Sequence, residues 1–372
     1  MIALGLMSAL ALAAIWGGYP LAVRALGGLR RRRGRAPGGD VPTVTVVLAS
    51  SDTAAAIRDR VTDLLASTYP ADRMRVVVAL DAVRGKCTPE ELGDLDSRVA
   101  VLRGDPEGGK ASSLNAGVRA AESDILVFAD TAQRFDPAAI GALVAEFDDP
   151  RVGAVSGMLD LPGANGSRNL AEHYWRFERW LRRWEARIHS CVGVTGCIYA
   201  LRRTLWQPLP AGLILDDVYL PLRLGLDGWR IAYTEHAIAR DIRRFAAGQE
   251  YRRKVRTLTG NIQVCAWLPA VLNPLRNPIW LQFVFHKLLR LLTPYFAALL
   301  LLSIAWTAGR AIAASSYGVS LLVDAVVAVA LLCLIPRARR ALRAQIAWGV
   351  AMQGSIVVAT VNGVRGRWDV WT

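Results

Sequence analysis

The chain has 372 residues, a hydrophobic content of 53% and a formal net charge of +14. The positive charge is concentrated beside apolar stretches and no recognisable nucleic-acid-binding module accompanies it, so we expect membrane lipids and a diphosphate ligand as partners and no nucleic acid. The five cysteines form no CxxC pair and the four histidines are dispersed, which argues against a disulfide framework and a zinc site.

The chain opens with an apolar stretch, 2–23, that carries no charge. A helix of about 20 apolar residues crosses the ~30 Å hydrocarbon core of a bilayer. No lysine or arginine precedes the stretch and an arginine-rich segment follows it, so we predict a transmembrane anchor over 1–23 rather than a cleaved signal peptide. A basic linker, 24–40, then places the following domain in the cytoplasm by the positive-inside rule.

Strand and helix patterns alternate after this linker. The predicted strands are apolar runs rich in β-branched residues, and they cover 43–50, 73–81, 98–104, 125–128 and 151–159. Helices are predicted between them, which is typical of a mostly parallel α/β sheet flanked by helices. Ligands bind beyond the carboxyl ends of the strands in such sheets. Two of the strands lead into Asp81 and Asp130, which are therefore candidate site residues.

Four short stretches carry candidate chemistry. They are Asp81, the segment 108–117 (GGKASSLNAG) with Lys110 and Asn115, Asp130, and the segment 214–224 (ILDDVYLPLRL) with Asp216 and Asp217. A glycine-rich helix start binds phosphate, and carboxylates bind a metal ion or accept a proton. Each stretch alone also has a structural explanation, since aspartates often form turns or cap helices. Together they match the needs of sugar transfer from a nucleotide diphosphate donor.

These stretches resemble the family 2 glycosyltransferases, which are inverting enzymes with a GT-A fold. The resemblance implies that Asp81 binds the nucleoside and that Lys110 and Asn115 lie beside the diphosphate. Asp130 matches the first acid of the family's D-x-D motif, which implies binding of Mg²⁺ or Mn²⁺. Ala132 replaces the second acid, so we expect Asp130 to share the metal with diphosphate oxygens and water.

The same resemblance assigns the acceptor side of the site. Asp216 and Asp217 match the family's Glu-Asp pair, which makes Asp217 the expected general base. The glycine-containing segment before this pair, with Gly193, Gly196 and Tyr199, is similar to the segment that shapes the acceptor pocket in the family.

Other positions depart from the family's pattern. The segment 250–261 lies where processive synthases carry Gln-x-x-Arg-Trp; Arg256 fits the arginine, and Arg253 replaces the glutamine. We expect both arginines to help neutralise the charge of the donor. Ser51 and Asp52 stand where Asn-Glu is usual after the first strand.

The implied function is transfer of a sugar from a UDP- or GDP-linked donor to a lipid or short glycan acceptor. Two alternatives stay open. The missing second acid would fit a catalytically inactive, nucleotide-binding scaffold, although the other motif residues are retained. A processive polysaccharide synthase would also fit a membrane-bound chain, but the altered Gln-x-x-Arg-Trp segment argues against polymer export.

The rest of the chain is predicted to lie in or on the membrane. The catalytic domain covers 41–265, an interfacial segment rich in proline covers 266–290, and a membrane region covers 291–372. This last region holds two or three hydrophobic helices, and the sequence leaves open whether the final one crosses the bilayer. We therefore expect a multi-pass protein of a bacterial cell membrane with a cytoplasmic catalytic domain.

Overall fold

The computed structural model of the chain describes residues 1–29, 40–160, 170–241, 247–314 and 336–370, together with Ser320 and Val323. Most of the predicted basic linker and most of a predicted hydrophobic stretch, 311–336, lie outside the described residues. The chain divides into two compact units. The first, here called the sheet unit, comprises 23–245 and 263–283, and the second, the helical unit, comprises 1–22, 246–262 and 284–371.

The sheet unit is built on one sheet of eight strands among the described residues. They are β1 (Val44–Ser50), β2 (Met74–Leu80), β3 (Val99–Arg103), β4 (Ile125–Ala129), β5 (Gln133–Phe135), β6 (Val152–Asp160), β7 (Ile198–Arg202) and β8 (Arg230–Asp241). Their order across the sheet is β3-β2-β1-β4-β7-β6-β8-β5. The four strands from β3 to β4 are parallel, as are β6 and β8. β7 runs antiparallel to β4 and β6, and β5 runs antiparallel to β8. The sheet is therefore mixed, and four of its seven strand pairings are parallel.

α-Helices among the described residues complete both units. In chain order they are α1 (Ile2–Ala13), α2 (Tyr19–Leu29), α3 (Ala54–Leu65), α4 (Gly109–Arg119), α5 (Ala139–Val144), α6 (Leu170–Ile188), α7 (Asp216–Leu226), α8 (Ala247–Trp267), α9 (Trp280–Phe283), α10 (Thr293–Ala314) and α11 (Pro336–Val364). α8 passes from the helical unit into the sheet unit after Ile262.

The central strands are buried on both faces. Val46 of β1 belongs to one core cluster with Ile57 and Val61 of α3. On the opposite face, a Cβ added at Gly117 of α4 would lie 2.7 Å from Val47 Cγ1, so this helix packs very closely on the sheet. Burial of both faces explains why these strands are continuous apolar runs, and why the sequence predicted them within one residue of their observed ends.

In the helical unit, α1 packs against α10 through small side chains. The Ser303 hydroxyl donates a hydrogen bond to the Met1 carbonyl at 2.9 Å. A Cβ added at Gly5 would lie 2.2 Å from Ser303 Oγ, so glycine permits this close approach. Such contacts between small residues are typical of helices that associate in a membrane.

Among the described residues, two helical stretches are long and apolar enough to cross a membrane. They are Ile2–Leu29 and Trp280–Ala314, and Gly349–Val364 is a shorter apolar part of α11. The first extends past the predicted end of the anchor at residue 23. The second begins inside the segment predicted to be interfacial, because the chain is already helical after Pro278, the last proline of that segment.

Candidate active site

The candidate site lies in the sheet unit, at the carboxyl ends of β2 and β4. Asp81 and Asp130 directly follow these strands, which both pair in parallel with β1. Their side chains therefore emerge at the same edge of the sheet. β7 runs in the opposite direction and pairs its first residue, Ile198, with Ala129 at the end of β4. This pairing brings the glycine-containing segment before β7 to the same edge.

Asp81 organises the turn that begins α4. Its Oδ1 accepts hydrogen bonds from the N–H groups of Val83 and Arg84 at 2.9 and 3.0 Å, and its Oδ2 accepts one from Gly109 N–H at 3.0 Å. Gly108 and Gly109 have φ values of +67° and +82°, a backbone region that favours glycine. The structure thus gives Asp81 a role in holding this turn, and its contact with a nucleoside stays a prediction.

Lys110 connects the carboxylates of the site. Its Nζ lies 2.9 Å from Asp130 Oδ1, 3.7 Å from Asp216 Oδ2 and 3.5 Å from the Gly196 carbonyl oxygen. Burial lowers the pKa of Lys110, but the carboxylates of Asp130, Asp216 and Asp217 outweigh this effect and raise the pKa above that of an ordinary lysine. Lys110 therefore keeps a positive charge at every physiological pH.

The two aspartates that begin α7 have different surroundings. Asp216 is buried, and its Oδ2 accepts a hydrogen bond from the Tyr199 hydroxyl at 3.4 Å. Asp217 is half-buried and lies against Gly196, where an added Cβ would be 2.9 Å from Asp217 Oδ2. The Val194 N–H also donates to the Asp217 carbonyl at 2.8 Å. Asp217 is therefore the more accessible carboxylate, and the segment before β7 fixes its position.

Tyr199 and Gly193 act on these aspartates from inside the protein. Tyr199 has no exposed surface and stacks on Phe128 with ring centroids 4.4 Å apart. Burial and the neighbouring carboxylate of Asp216 raise its pKa well above that of a free tyrosine, so its hydroxyl remains a donor. A Cβ added at Gly193 would lie 3.1 Å from the Asp217 carbonyl oxygen. Tyr199 thus supports Asp216, and the predicted role of Tyr199 in an acceptor pocket stays a prediction.

Asn115 holds a loop in place. Its Nδ2 donates to the Leu209 carbonyl at 2.9 Å, and its Oδ1 accepts from the Leu209 N–H at 2.8 Å. The side chain thereby ties α4 to the loop that precedes α7. Both polar atoms of the amide are used within the protein, so a direct contact between Asn115 and the diphosphate stays a prediction.

Arg253 and Arg256 lie on α8, in the part of this helix that belongs to the helical unit. They are therefore not among the residues of the sheet unit that form the site described above, and their contact with the donor stays a prediction.

Asp130 is the carboxylate best placed to hold a divalent metal ion. Its side chain is 38% exposed at the sheet edge, and Ala132 offers no ligand atom. Across the described ranges, no cluster of three or more His, Cys, Asp or Glu is arranged to hold a metal. A carboxylate oxygen nevertheless suits Mg²⁺ or Mn²⁺, which often combine one or two carboxylates with phosphate oxygens and water. The residues therefore fit a metal site that the donor's diphosphate completes.

Two buried side chains beside Asp130 were not predicted. Burial and the negative charge of Asp130 raise the pKa of the Cys197 thiol to about 12, so this thiol stays protonated and is not a nucleophile. Arg60 donates from Nε to the Asp130 carbonyl at 3.0 Å. The signal for Arg60 was present in the sequence, because it is the only charged residue on the buried face of α3.

Comparisons with known proteins show which family and which solved structures this chain is similar to. A family model described as "Glycosyltransferase like family 2" matches residues 42–260, more than half of the chain. The mannosyltransferase PcManGT from Pyrobaculum calidifontis, solved in complex with GDP-Man and Mn²⁺, has a TM-score of 0.72 and 21% identity, over 98% of this chain and 99% of its own. The glucosyl-3-phosphoglycerate synthase from Mycobacterium tuberculosis has a TM-score of 0.42 and 19% identity, over 66% of this chain and 83% of its own. No curated protein sequence matches this chain significantly. The similarity to the mannosyltransferase confirms the predicted GT-A type of fold.

The contact between Asn115 and Leu209 can be tested by replacing Asn115 with leucine, which has a similar size. Because Leu209 N–H and C=O then lose their partners, we expect Asn115→Leu to lower stability by about 1–3 kcal/mol and to accelerate hydrogen exchange in the loop 207–213. Thermal unfolding and hydrogen-exchange mass spectrometry measure these effects. Arg223→Met is the matched control, since Arg223 bonds to Gln207 of the same loop from an exposed position. Wild-type exchange rates in Asn115→Leu would contradict this role.

Proposed function

Because the chain belongs to glycosyltransferase family 2, we propose that it transfers a sugar from a GDP- or UDP-linked donor to an acceptor hydroxyl, with inversion at the anomeric carbon. The observation that carries the proposal is the position of Asp217. This accessible carboxylate lies at a helix N-terminus, next to the positive charge of Lys110 and at the same sheet edge as Asp130. A proton acceptor beside a cation is what displacement of a diphosphate by a hydroxyl requires.

The reaction that we propose is a single displacement. Asp217 accepts the proton of the acceptor hydroxyl while the hydroxyl oxygen forms a bond to the anomeric carbon. The bond between this carbon and the diphosphate oxygen breaks, and the electron pair leaves with the diphosphate. Lys110 offsets the negative charge that develops on the leaving group. A divalent ion held by Asp130 would supply further charge neutralisation when bound.

Asp216 has a supporting role in this scheme. It is buried, it receives the hydrogen bond from Tyr199, and it lies 3.7 Å from Lys110 Nζ. These contacts keep Lys110 in the site and leave Asp217 as the carboxylate that an acceptor can reach.

GDP-mannose with Mn²⁺ is the first donor to test, because the mannosyltransferase that matches nearly the whole chain was solved with this pair. We expect the detergent-purified protein to release nucleoside diphosphate from one member of a panel of GDP- and UDP-sugars when a membrane lipid extract is supplied as acceptor. EDTA should reduce the rate at least about tenfold, because the diphosphate then lacks the charge of the metal. If no donor in the panel gives release of nucleoside diphosphate, the result would instead favour a catalytically inactive scaffold.

Asp217→Asn is expected to lower turnover about 100- to 10,000-fold, because the amide keeps the shape of the side chain but cannot accept the proton. Affinity for the donor should stay near the wild-type value. Asp227→Asn is the matched control, since Asp227 is exposed at the other end of the same helix. Initial rates and nucleotide binding are measured for both variants. Turnover of Asp217→Asn close to that of the control would refute its role as the base.

We also propose that the sheet unit acts at the cytoplasmic face of a membrane on a lipid or short glycan acceptor. The loop between α8 and α9 supports this location. Leu275 is 94% exposed and Leu272 is 43% exposed. The loop is braced by hydrogen bonds from Asn277 Nδ2 to the Val271 carbonyl and from Trp280 Nε1 to the Leu272 carbonyl, both at 2.8 Å. A braced loop with exposed leucines, followed directly by an apolar helix, suits insertion among lipid headgroups.

A fluorophore that responds to its surroundings tests this location in lipid nanodiscs. We expect a label on Leu275→Cys to show blue-shifted emission and quenching by nitroxide-bearing lipids, because the leucine position would lie in the headgroup region. A label on Glu122→Cys, at an exposed turn before β4, serves as the solvent reference, and the labelled wild type gives the background from native cysteines. Emission at position 275 that matches the solvent reference would contradict the proposal.

A further inference from the structure

An ion pair on α3, between the buried Arg60 and the partly buried Asp63, lies beneath the turn that carries Asp130. Arg60 has no exposed surface, and its Nη1 is hydrogen-bonded to Asp63 Oδ2. Its guanidinium also stacks over Phe135, 4.1 Å from the ring centroid. The surrounding face of the helix is apolar, so the sequence places one charged group where the fold otherwise buries hydrocarbon.

The pair holds both ends of the turn between β4 and β5. At the first end, Arg60 Nε donates to the Asp130 carbonyl at 3.0 Å. At the other end, Asp63 Oδ2 accepts the N–H of Phe135 at 3.2 Å. The two charged side chains therefore fix the path of the backbone from Asp130 to the next strand.

Two further contacts hold the middle of this turn. Arg134 Nη1 donates to the Thr131 carbonyl at 2.9 Å. The Thr131 hydroxyl donates to Ser50 Oγ, at the end of β1, at 2.8 Å. The turn is thus attached to the sheet as well as to α3, and Asp130 has little freedom to move with its backbone.

Stability alone does not explain the ion pair. Burial lowers the pKa of Arg60 to about 10, even though the charge of Asp63 acts in the opposite direction. Arg60 Nη2 has no hydrogen-bond partner within the part of the chain that the structure describes. Apolar residues of similar volume commonly replace such pairs with no loss of stability. The geometry that the pair imposes on the turn is therefore its more informative property.

That geometry matters because the D-x-D motif is reduced. With Ala132 in place of the second acid, Asp130 is the only carboxylate of the motif that can locate a metal ion. When a single carboxylate locates the metal ion, an error of about 1 Å in its position is not compensated by a second carboxylate.

We propose that Arg60, oriented by Asp63, is a positioning residue that fixes the backbone of Asp130 and thereby sets the affinity of the site for its divalent metal ion. This inference rests on the proposed function, in which Asp130 holds the metal. According to this inference, α3 controls metal binding although it contributes no group to the reaction.

The test measures Mn²⁺ binding directly, by the loss of the electron paramagnetic resonance signal of free Mn²⁺ on titration with the full chain. The titration contains GDP or UDP, whichever the wild type binds. We expect Arg60→Met to raise the dissociation constant for Mn²⁺ about tenfold, as is usual when a group that orients a metal ligand is lost. Arg60→Lys keeps the charge but not the fork of contacts, so a smaller increase is expected.

Arg58→Met is the matched control, because Arg58 lies on the same helix and bonds to Asp94 and Glu91 on the surface. Its Mn²⁺ affinity should equal that of the wild type. Nucleotide affinity in EDTA and the melting temperature are measured for every variant. If Arg60 has a merely structural role, its loss would lower Mn²⁺ affinity, nucleotide affinity and the melting temperature together. If it is a positioning residue, its loss lowers Mn²⁺ affinity while nucleotide affinity in EDTA stays constant.

An Arg60→Met variant that folds and binds Mn²⁺ like the wild type would overturn the inference. If this variant does not fold, the inference is tested with Arg60→Lys and Asp63→Asn instead. Unchanged Mn²⁺ affinity in both of these variants would also overturn the inference. Failure of the wild type to bind Mn²⁺ with either nucleotide would overturn the proposed metal site itself, and the inference with it. The two failures are therefore distinguishable from the wild-type titration alone.

Discussion

The positive charge of Lys110 is the interaction on which the candidate site depends. Three carboxylates, Asp130, Asp216 and Asp217, reach one edge of the sheet from different parts of the chain. Like charges in such proximity repel each other, and a cation between them offsets this repulsion. Lys110 lies between them, with Nζ 2.9 Å from Asp130 and 3.7 Å from Asp216. Its charge therefore compensates the carboxylates of the site before any donor or metal binds.

Glycine decides how closely the backbone approaches this charged group. At Gly196, an added Cβ would lie 2.9 Å from Asp217 Oδ2, so any larger residue would displace the carboxylate. At Gly108, an added Cβ would lie 2.5 Å from Val83 Cγ2 and would disturb the turn that holds Lys110. The main chain itself thus sets the positions of Lys110 and Asp217. Their geometry consequently follows from the fold of the sheet unit rather than from flexible side-chain contacts.

The sequence predicted those parts of this arrangement that have a local signal. Strands buried on both faces read as continuous apolar runs, and parallel strands deliver the residues that follow them, such as Asp81 and Asp130, to one edge. β5, β7 and β8 were not predicted; β5 has only three residues, and β8 mixes polar with apolar residues. The pairing of Asn115 with Leu209, 94 residues later, and the burial of Tyr199 depend on tertiary contacts that no local pattern encodes.

The contacts of Lys110 with two carboxylates are consistent with the reduced D-x-D motif. A single carboxylate that is already paired with a lysine must release it, at least in part, before it can bind a metal ion. Lys110 would not then be left alone, because Asp216 and the Gly196 carbonyl remain within 3.7 and 3.5 Å of its Nζ. The charge of Lys110 thereby keeps partners within the protein, and the lysine stays where a diphosphate would need it. In the proposed reaction Asp216 would thus support the metal side of the site as well as the acceptor side without touching either substrate.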